Sequence, residues 1–313
     1  MHTIHPNVYS PLTLSKNIRK VDSLSVSKIV SNYKKEFDLD VSTYFKNISE
    51  LEVFECQDTH LKFYYPFGLA GDGLFYDQLS VNGKSYYTQS KWEFNEAAKY
   101  IHPNAKVLEI ACAEGFFLEQ ISKITKDSVG LELNPRAVKI GQEKGLNILP
   151  DLIQDHAKTH EETYDIVFAF QLFEHVENIR EMFESSLKVL KKGGKLIIGV
   201  PNNSSPIFKL NKFHTLNVPP HHMLLWDEKS LSAAAKLYDL NLVSLLTQPT
   251  SPTLKSEVYR LNLVSKLGEG FLSKFIHTTT RWFVKKLPSS AVNQSILAVY
   301  EKKNNLIIYC SYI

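Results

Sequence analysis

Residues 106–117 read KVLEIACAEGFF, and this stretch decides the fold. Val107, Leu108 and Ile110 form an apolar run without alternation, the pattern of a parallel strand buried on both faces. Glu109 lies inside that run, where a carboxylate is costly unless something bonds to it. Small residues follow at every second position, Ala111, Ala113 and Gly115. They let backbone come close to a bulky group, and the helical GFFLEQISKI completes a strand–turn–helix unit. A ligand seated at the turn is the expectation, and the rest of the chain has to say which.

Working outward, strand and helix signals alternate from residue 105 onward. SVGLEL reads as a second strand, ending in Glu132-Leu133. Asn134-Pro135 supplies an N-cap with proline at the first helical position, and Gly145 a stop. YDIVFAF is a strand. The helix predicted over 177–191 carries Ile179, Met182, Phe183, Leu187 and Leu190 on one face and ends at Gly193-Gly194. KLIIGVPN is a strand, EKSLSAAAKLYDL a helix, LNLVSLL and SILAVYEKK late strands. Alternating units of this kind predict an α/β fold with an open, doubly wound parallel sheet. Two additions are expected. Residues 1–100 form an aromatic-rich α+β extension or lid, with an arm over 1–22, a helix near 25–37 and a hairpin of LEVFECQ and LKFYYP. Residues 101–313 form the main domain, with a helical insertion at about 252–290.

The composition is that of a globular protein, with 43% hydrophobic and 22% charged residues. A net charge of +3 is too small to indicate nucleic acid or an anionic membrane as partner. Cys56, Cys112 and Cys310 are far apart and odd in number, which fits neither a disulfide framework nor a CxxC metal site and points to a reducing compartment. The first residues lack the apolar core of a signal peptide, and no apolar run approaches the ~20 residues that cross a bilayer. A cytoplasmic location is the resulting expectation.

In open α/β sheets, ligands sit at the carboxyl ends of the strands where strand order reverses. A dinucleotide would want G-x-G-x-x-G, and here the small residues fall at 111, 113 and 115 with Phe116 in the sixth position. S-adenosyl-L-methionine fits better. It has ribose and adenine but no phosphate, and an ammonium and carboxylate that loop groups must satisfy. Glu109 is placed to orient the turn and neutralise the ammonium side. Glu132, about 20 positions after the turn, is placed to accept from both ribose hydroxyls. VLEIACAEGFF resembles motif I, usually E-x-G-x-G-x-G, of the class I S-adenosylmethionine-dependent methyltransferases. GLELNPRAV resembles their next motif. YDIVFAFQLFEHVENIREMFESSLKVLKKGGKLIIGVPN is similar to the segment of small-molecule methyltransferases in which an EHV motif follows a strand. The likeness runs from residue 106 to 248 and resumes at SILAVYEKK, and it implies a Rossmann-like sheet of seven mostly parallel strands. Ala111 and Ala113 stand where the pattern carries glycine, and a positive φ at either would be strained. The expected cofactor contacts are Glu109, Ala111, Cys112, Ala113, Gly115, Glu132, Leu133, Gln171 and Tyr87.

The cofactor brings its own leaving group, so the protein must align the acceptor, exclude water and, for a hydroxyl, remove a proton. YDIVFAF ends at Phe170, so Gln171 to His175 should border the pocket. His175 is the first candidate for general base, with Glu174 to orient it. His221 and His222, after the stiff Pro219-Pro220 pair, are candidates for acceptor contact or base duty. Tyr87 and Trp92 are placed to cover the methionine end or a flat acceptor. The resemblance also raises a metal: small-RNA 2′-O-methyltransferases and ubiquinone-pathway O-methyltransferases carry E-x-x-E-H plus a later histidine, which hold a divalent ion. Here the motif reads Q-x-x-E-H, and with Gln171 in place of the first acid no metal is assigned. The implied function is methyl transfer from S-adenosyl-L-methionine to a small-molecule or saccharide acceptor, with O-methylation favoured by the histidine. Methylation of RNA 2′-hydroxyls and a non-catalytic binding module are the alternatives. No nucleic-acid or membrane partner is expected, and the sequence leaves oligomeric state open.

Overall fold

A computed structural model describes residues 8–82, 90–268, 270–286 and 294–304 of the 313-residue chain. Eleven strands are present among them: β1 (Ile18–Ser25), β2 (Glu50–Cys56), β3 (Lys62–Tyr65), β4 (Val107–Ile110), β5 (Ser128–Leu131), β6 (Ile148–Leu149), β7 (Tyr164–Phe170), β8 (Leu190–Pro201), β9 (Leu224–Leu225), β10 (Leu240–Thr247) and β11 (Ser295–Lys302). Seven of them make one sheet in the order β10-β11-β8-β7-β4-β5-β6. All pairings are parallel except those of β11, which is antiparallel to both β8 and β10. The chain runs outward from β4 to β6, then returns to the other side of β4 as β7. Strand order therefore reverses between β4 and β7, and a crevice opens at their carboxyl ends.

Both faces of this sheet are covered, which is why its strands are apolar without alternation. Leu108, Val167, Ile198 and Ala298 point into one core. Val107, Phe168, Ile197 and Leu297 point into the other, where Phe94, Phe117, Phe168 and Phe170 meet edge to face. Phe168 is fully buried there, so Phe168→Ala would cost about 3–5 kcal/mol. Gly193 and Gly194 do not end a helix, as the spacing predicts. The helix Ile179–Val189 stops earlier and β8 begins at Leu190. Gly193 turns with φ of 73°, and a Cβ on Gly194 would lie 2.8 Å from the carbonyl of Lys191 and 2.9 Å from that of Asp165. The two glycines let β8 bulge against β7, where the register shifts between the Tyr164–Leu190 and Ile166–Lys195 pairs.

The N-terminal extension builds a second, antiparallel sheet, β1-β2-β3-β9. The arm expected over residues 1–22 is, from residue 8 onward, structured: Val8 and Leu12 are buried and Ile18 to Ser25 pair with β2. The polar run IRKVDSLS hides a strand because one face lies open to solvent and the register with β2 decides the pairing. β9 belongs to the loop after β8, and it docks on β3. Tyr33 and Tyr64 donate from their hydroxyls to the carbonyls of Val218 and Asn217, each at 3.0 Å, and the Gly71 amide donates to Pro220 at 2.7 Å. The extension thus grips the segment that leads into His221 and His222, and its apolar residues continue into one core of the main sheet. Helices Pro252–Leu267 and Phe271–Lys286 form the insertion between β10 and β11. No helix among the described residues is long and apolar enough to cross a membrane.

Candidate active site

A cavity of about 800 Å³ occupies the crevice. Its walls combine the turn after β4 (Glu109 to Ala113), the end of β5 (Glu132, Leu133), residues 151–154 after β6, the end of β7 (Gln171, Glu174, His175) and the pair His221-His222. Tyr76, Trp92 and Glu93 close it from the side of the extension.

The turn is built as its small residues suggest. Ala111 and Ala113 both take positive φ, 56° and 50°, and Gly115 follows at 78°. The two alanines therefore sit in the left-handed region that disfavours any Cβ. The amide of Ala113 donates to Glu132 Oε2 at 2.9 Å, and that of Asn134 to Glu132 Oε1 at 2.8 Å. Each oxygen keeps a lone pair for a further donor. Gly115, expected to touch the cofactor, does not border the cavity. A Cβ there would lie 2.4 Å from Leu146 Cδ1, so its smallness serves packing beneath the turn. Cys112 borders the cavity while its sulfur fills the space over Gly130. Tyr87 lies outside the described residues.

Glu109 is buried, and its Oε2 has no hydrogen-bond partner among the described residues. Burial pushes its carboxyl up to about 8, with the nearby Glu132 adding to the rise and Lys91 opposing it. A cation brought against it would reverse that shift. A buried carboxyl on the cavity wall, with one oxygen unpartnered among the described residues, together with a second carboxylate held by two turn amides, fits a ligand with an ammonium at one end and a diol further along. Sequence reasoning missed the far wall. β6 has only two residues, too short for periodicity to reveal, so Asp151 and Gln154 went unread. Gln154 Oε1 is buried without a partner among the described residues. Glu93 was missed as well, because an acid in the first turn of a helix is ordinary. It is buried and accepts from Gln171 Nε2 at 3.1 Å. That bond, with a φ of 53° at Gln171, turns this side chain toward Glu93.

His175, His221 and His222 come together beside this wall. Nδ1 of His175 lies 2.6 Å from the carbonyl oxygen of His221. A carbonyl only accepts, so the proton is on Nδ1 and the lone pair on Nε2. Nε2 is 3.8 Å from Glu174 Oε1, and Nε2 of His222 is 3.9 Å from the same oxygen. Glu174 is fully buried, with no hydrogen-bond partner for either carboxylate oxygen among the described residues. Burial pushes Glu174 up to about 8 and His175 down to about 4, and holds His221 and His222 well below the usual imidazole range. The group therefore favours neutral imidazoles around a protonated carboxyl, and any cation placed among them would draw that proton off. One ring nitrogen from each of the three histidines lies within 4.8 Å of the others, an arrangement that could hold a metal ion.

A family described as a methyltransferase domain matches residues 88–245. Among curated proteins, a ubiquinone biosynthesis O-methyltransferase of Hydrogenovibrio crunogenus is 28% identical over 182 residues, 54% of this chain and 74% of that one. Another, from Aliivibrio fischeri, is 29% identical over 105 residues, and there the match spans 32% of this chain and 45% of its relative. Among solved structures, a SAM-dependent methyltransferase from Archaeoglobus fulgidus superposes over 74% of this chain and 100% of its own, with a TM-score of 0.51 at 18% identity. The last likeness is one of fold. With half of its length matched by the family, the chain belongs to the methyltransferase-domain family and is a class I, S-adenosyl-L-methionine-dependent methyltransferase.

Proposed function

We propose that the chain methylates a hydroxyl of a small-molecule or saccharide acceptor, with His175 as general base. The observation that carries this reading is that one cavity is bordered both by the turn after β4 and by His175, whose Nδ1 donates to the His221 carbonyl and so leaves the lone pair on Nε2. The name of the curated relatives, O-methyltransferases, supports an oxygen acceptor.

Bound cofactor supplies an activated methyl group and its own leaving group. Glu132 would hold the ribose and Glu109 the ammonium side, while Asp151 and Gln154 would meet the adenine edge. Nε2 of His175 takes the hydroxyl proton as the acceptor oxygen becomes nucleophilic. Trp92, whose Nε1 is buried without a partner among the described residues, offers a donor and a flat wall to the acceptor. A methyl-release assay across phenolic, saccharide and RNA acceptors tests the reading. Turnover of a phenol or sugar supports it, and turnover of RNA alone contradicts it.

A second reading is favoured by the partnerless Glu174 oxygens amid three imidazoles. In it, Glu174, His175 and one or both of His221 and His222 hold a divalent cation, which would lower the acceptor's pKa. The nitrogen-rich donor set suits a zinc-like ion better than magnesium. Gln171, engaged with Glu93, supplies no anionic ligand.

A further inference from the structure

The hydroxyl of Tyr76 stands 3.0 Å from Nδ1 of His175 and 3.5 Å from the carbonyl oxygen of His221. Since that carbonyl is also 2.6 Å from Nδ1, the three atoms form a triangle. The carbonyl can only accept, so Nδ1 must carry a hydrogen, and the tyrosine oxygen can share it. The tyrosine's own hydrogen is then left to point toward the carbonyl. The rings of Tyr76 and His175 meet edge to face at 78°, with centroids 5.7 Å apart, which restrains the imidazole from turning over. Tyr76 comes from the helix Gly73–Asn82, part of the N-terminal extension. The same extension grips the loop that bears His221.

We propose that Tyr76 is a positioning residue of the active site: it holds the His175 imidazole with Nδ1 protonated, so that the lone pair is on Nε2. The assignment extends the reading of His175 as the base. When Nε2 gains a proton, the ring becomes cationic and its Nδ1–H bonds to the carbonyl and the tyrosine oxygen strengthen. Tyr76 thus acts on the ring twice, by choosing the tautomer and by supporting the charged form. The N-terminal extension is on this account part of the catalytic unit, because it supplies a group the base needs.

The test reads the ring directly. Long-range proton–nitrogen NMR of ¹⁵N-labelled full-length protein at neutral pH, with His175 assigned through the His175→Gln variant, reports which ring nitrogen carries the proton. In the unmodified protein Nδ1 is expected to be the protonated nitrogen. In Tyr76→Phe the ratio of tautomers is expected to move about three- to fivefold toward Nε2–H, the effect of losing one ordinary hydrogen bond. Tyr76→Leu, which also removes the ring contact, should move it at least as far, and far-ultraviolet circular dichroism of both variants checks the fold. An Nε2–H tautomer in the unmodified protein, or an unchanged ratio in folded Tyr76→Phe, overturns the assignment. If the ratio responds while His175→Gln turns over normally, Tyr76 keeps its positioning role and the base reading falls. With an acceptor in hand, Tyr76→Phe should lower kcat severalfold with KM unchanged.

Discussion

The amide of Ala113 donates to Glu132 across 2.9 Å, tying the turn after β4 to the end of β5. Ala113 makes this bond at a φ of 50°, and Ala111 two positions earlier at 56°. The turn keeps its shape although the residues in it resist that shape, because Glu132 and the neighbouring strands impose it.

Relief of that strain is measurable. Ala111→Gly and Ala113→Gly should each stabilise the protein by about 0.5–1 kcal/mol, the left-handed penalty less the added entropy of the unfolded chain. Calorimetry should show the melting midpoint rising by roughly 1–3 °C for each. A fall in both would show that the alanines are not strained.

Stability should depend on pH in a direction set by Glu109 and Glu174. Both carboxyls are raised by burial, from an ordinary 4.5 to about 8. Between those values the folded protein holds protons that the unfolded chain has released. The contribution of the two groups therefore shrinks as pH rises, and it is exhausted above about pH 8. Below 6.5 the buried imidazoles oppose this, since their lowered values make the unfolded chain the better proton acceptor. Urea unfolding of protein without cofactor should thus show stability falling from pH 6.5 to 8, and Glu109→Gln should flatten the slope. An unchanged slope in that variant would mean that Glu109 is ionised in the fold.

His175→Gln should leave cofactor affinity within a fewfold of the parent and lower turnover by about 10²–10⁴, the range for loss of a general base. Calorimetric titration with the cofactor and a methyl-release assay separate the two effects. Normal turnover in the variant removes His175 from the reaction.

The metal reading makes its own prediction. Zinc should raise the melting midpoint, and His222→Ala or Glu174→Gln should abolish the rise. No rise with zinc, cobalt or manganese dismisses a metal from this cluster.

Much of this was open to reading because it is local. The apolar runs of β4, β5 and β7 and the Asn134-Pro135 cap are written in short stretches, and Asn134 does accept from the amides of Arg136 and Ala137. The acid in the first strand and the one ending the second stand out by their places in those strands and beside the small-residue turn, and both border the cavity. What resisted reading depends on distant partners. β1 is a strand because β2 lies beside it, and β9 is two residues that matter only against β3. Glu93 and Tyr76 look unremarkable in sequence, and only the packing of the extension on the crevice brings them to Gln171 and His175. Gly115 completes the alternating pattern that predicts a contact, yet it does not border the cavity, and a Cβ there would lie 2.4 Å from Leu146 Cδ1.

The central claim is that the adenosyl group sits on the turn after β4, held at its ribose by Glu132. Isothermal titration of S-adenosyl-L-methionine into the full chain and into Glu132→Ala addresses it most directly. Saturable binding to the parent, weakened a hundredfold or more in the variant, is the predicted result. Equal affinity in the two proteins would contradict it.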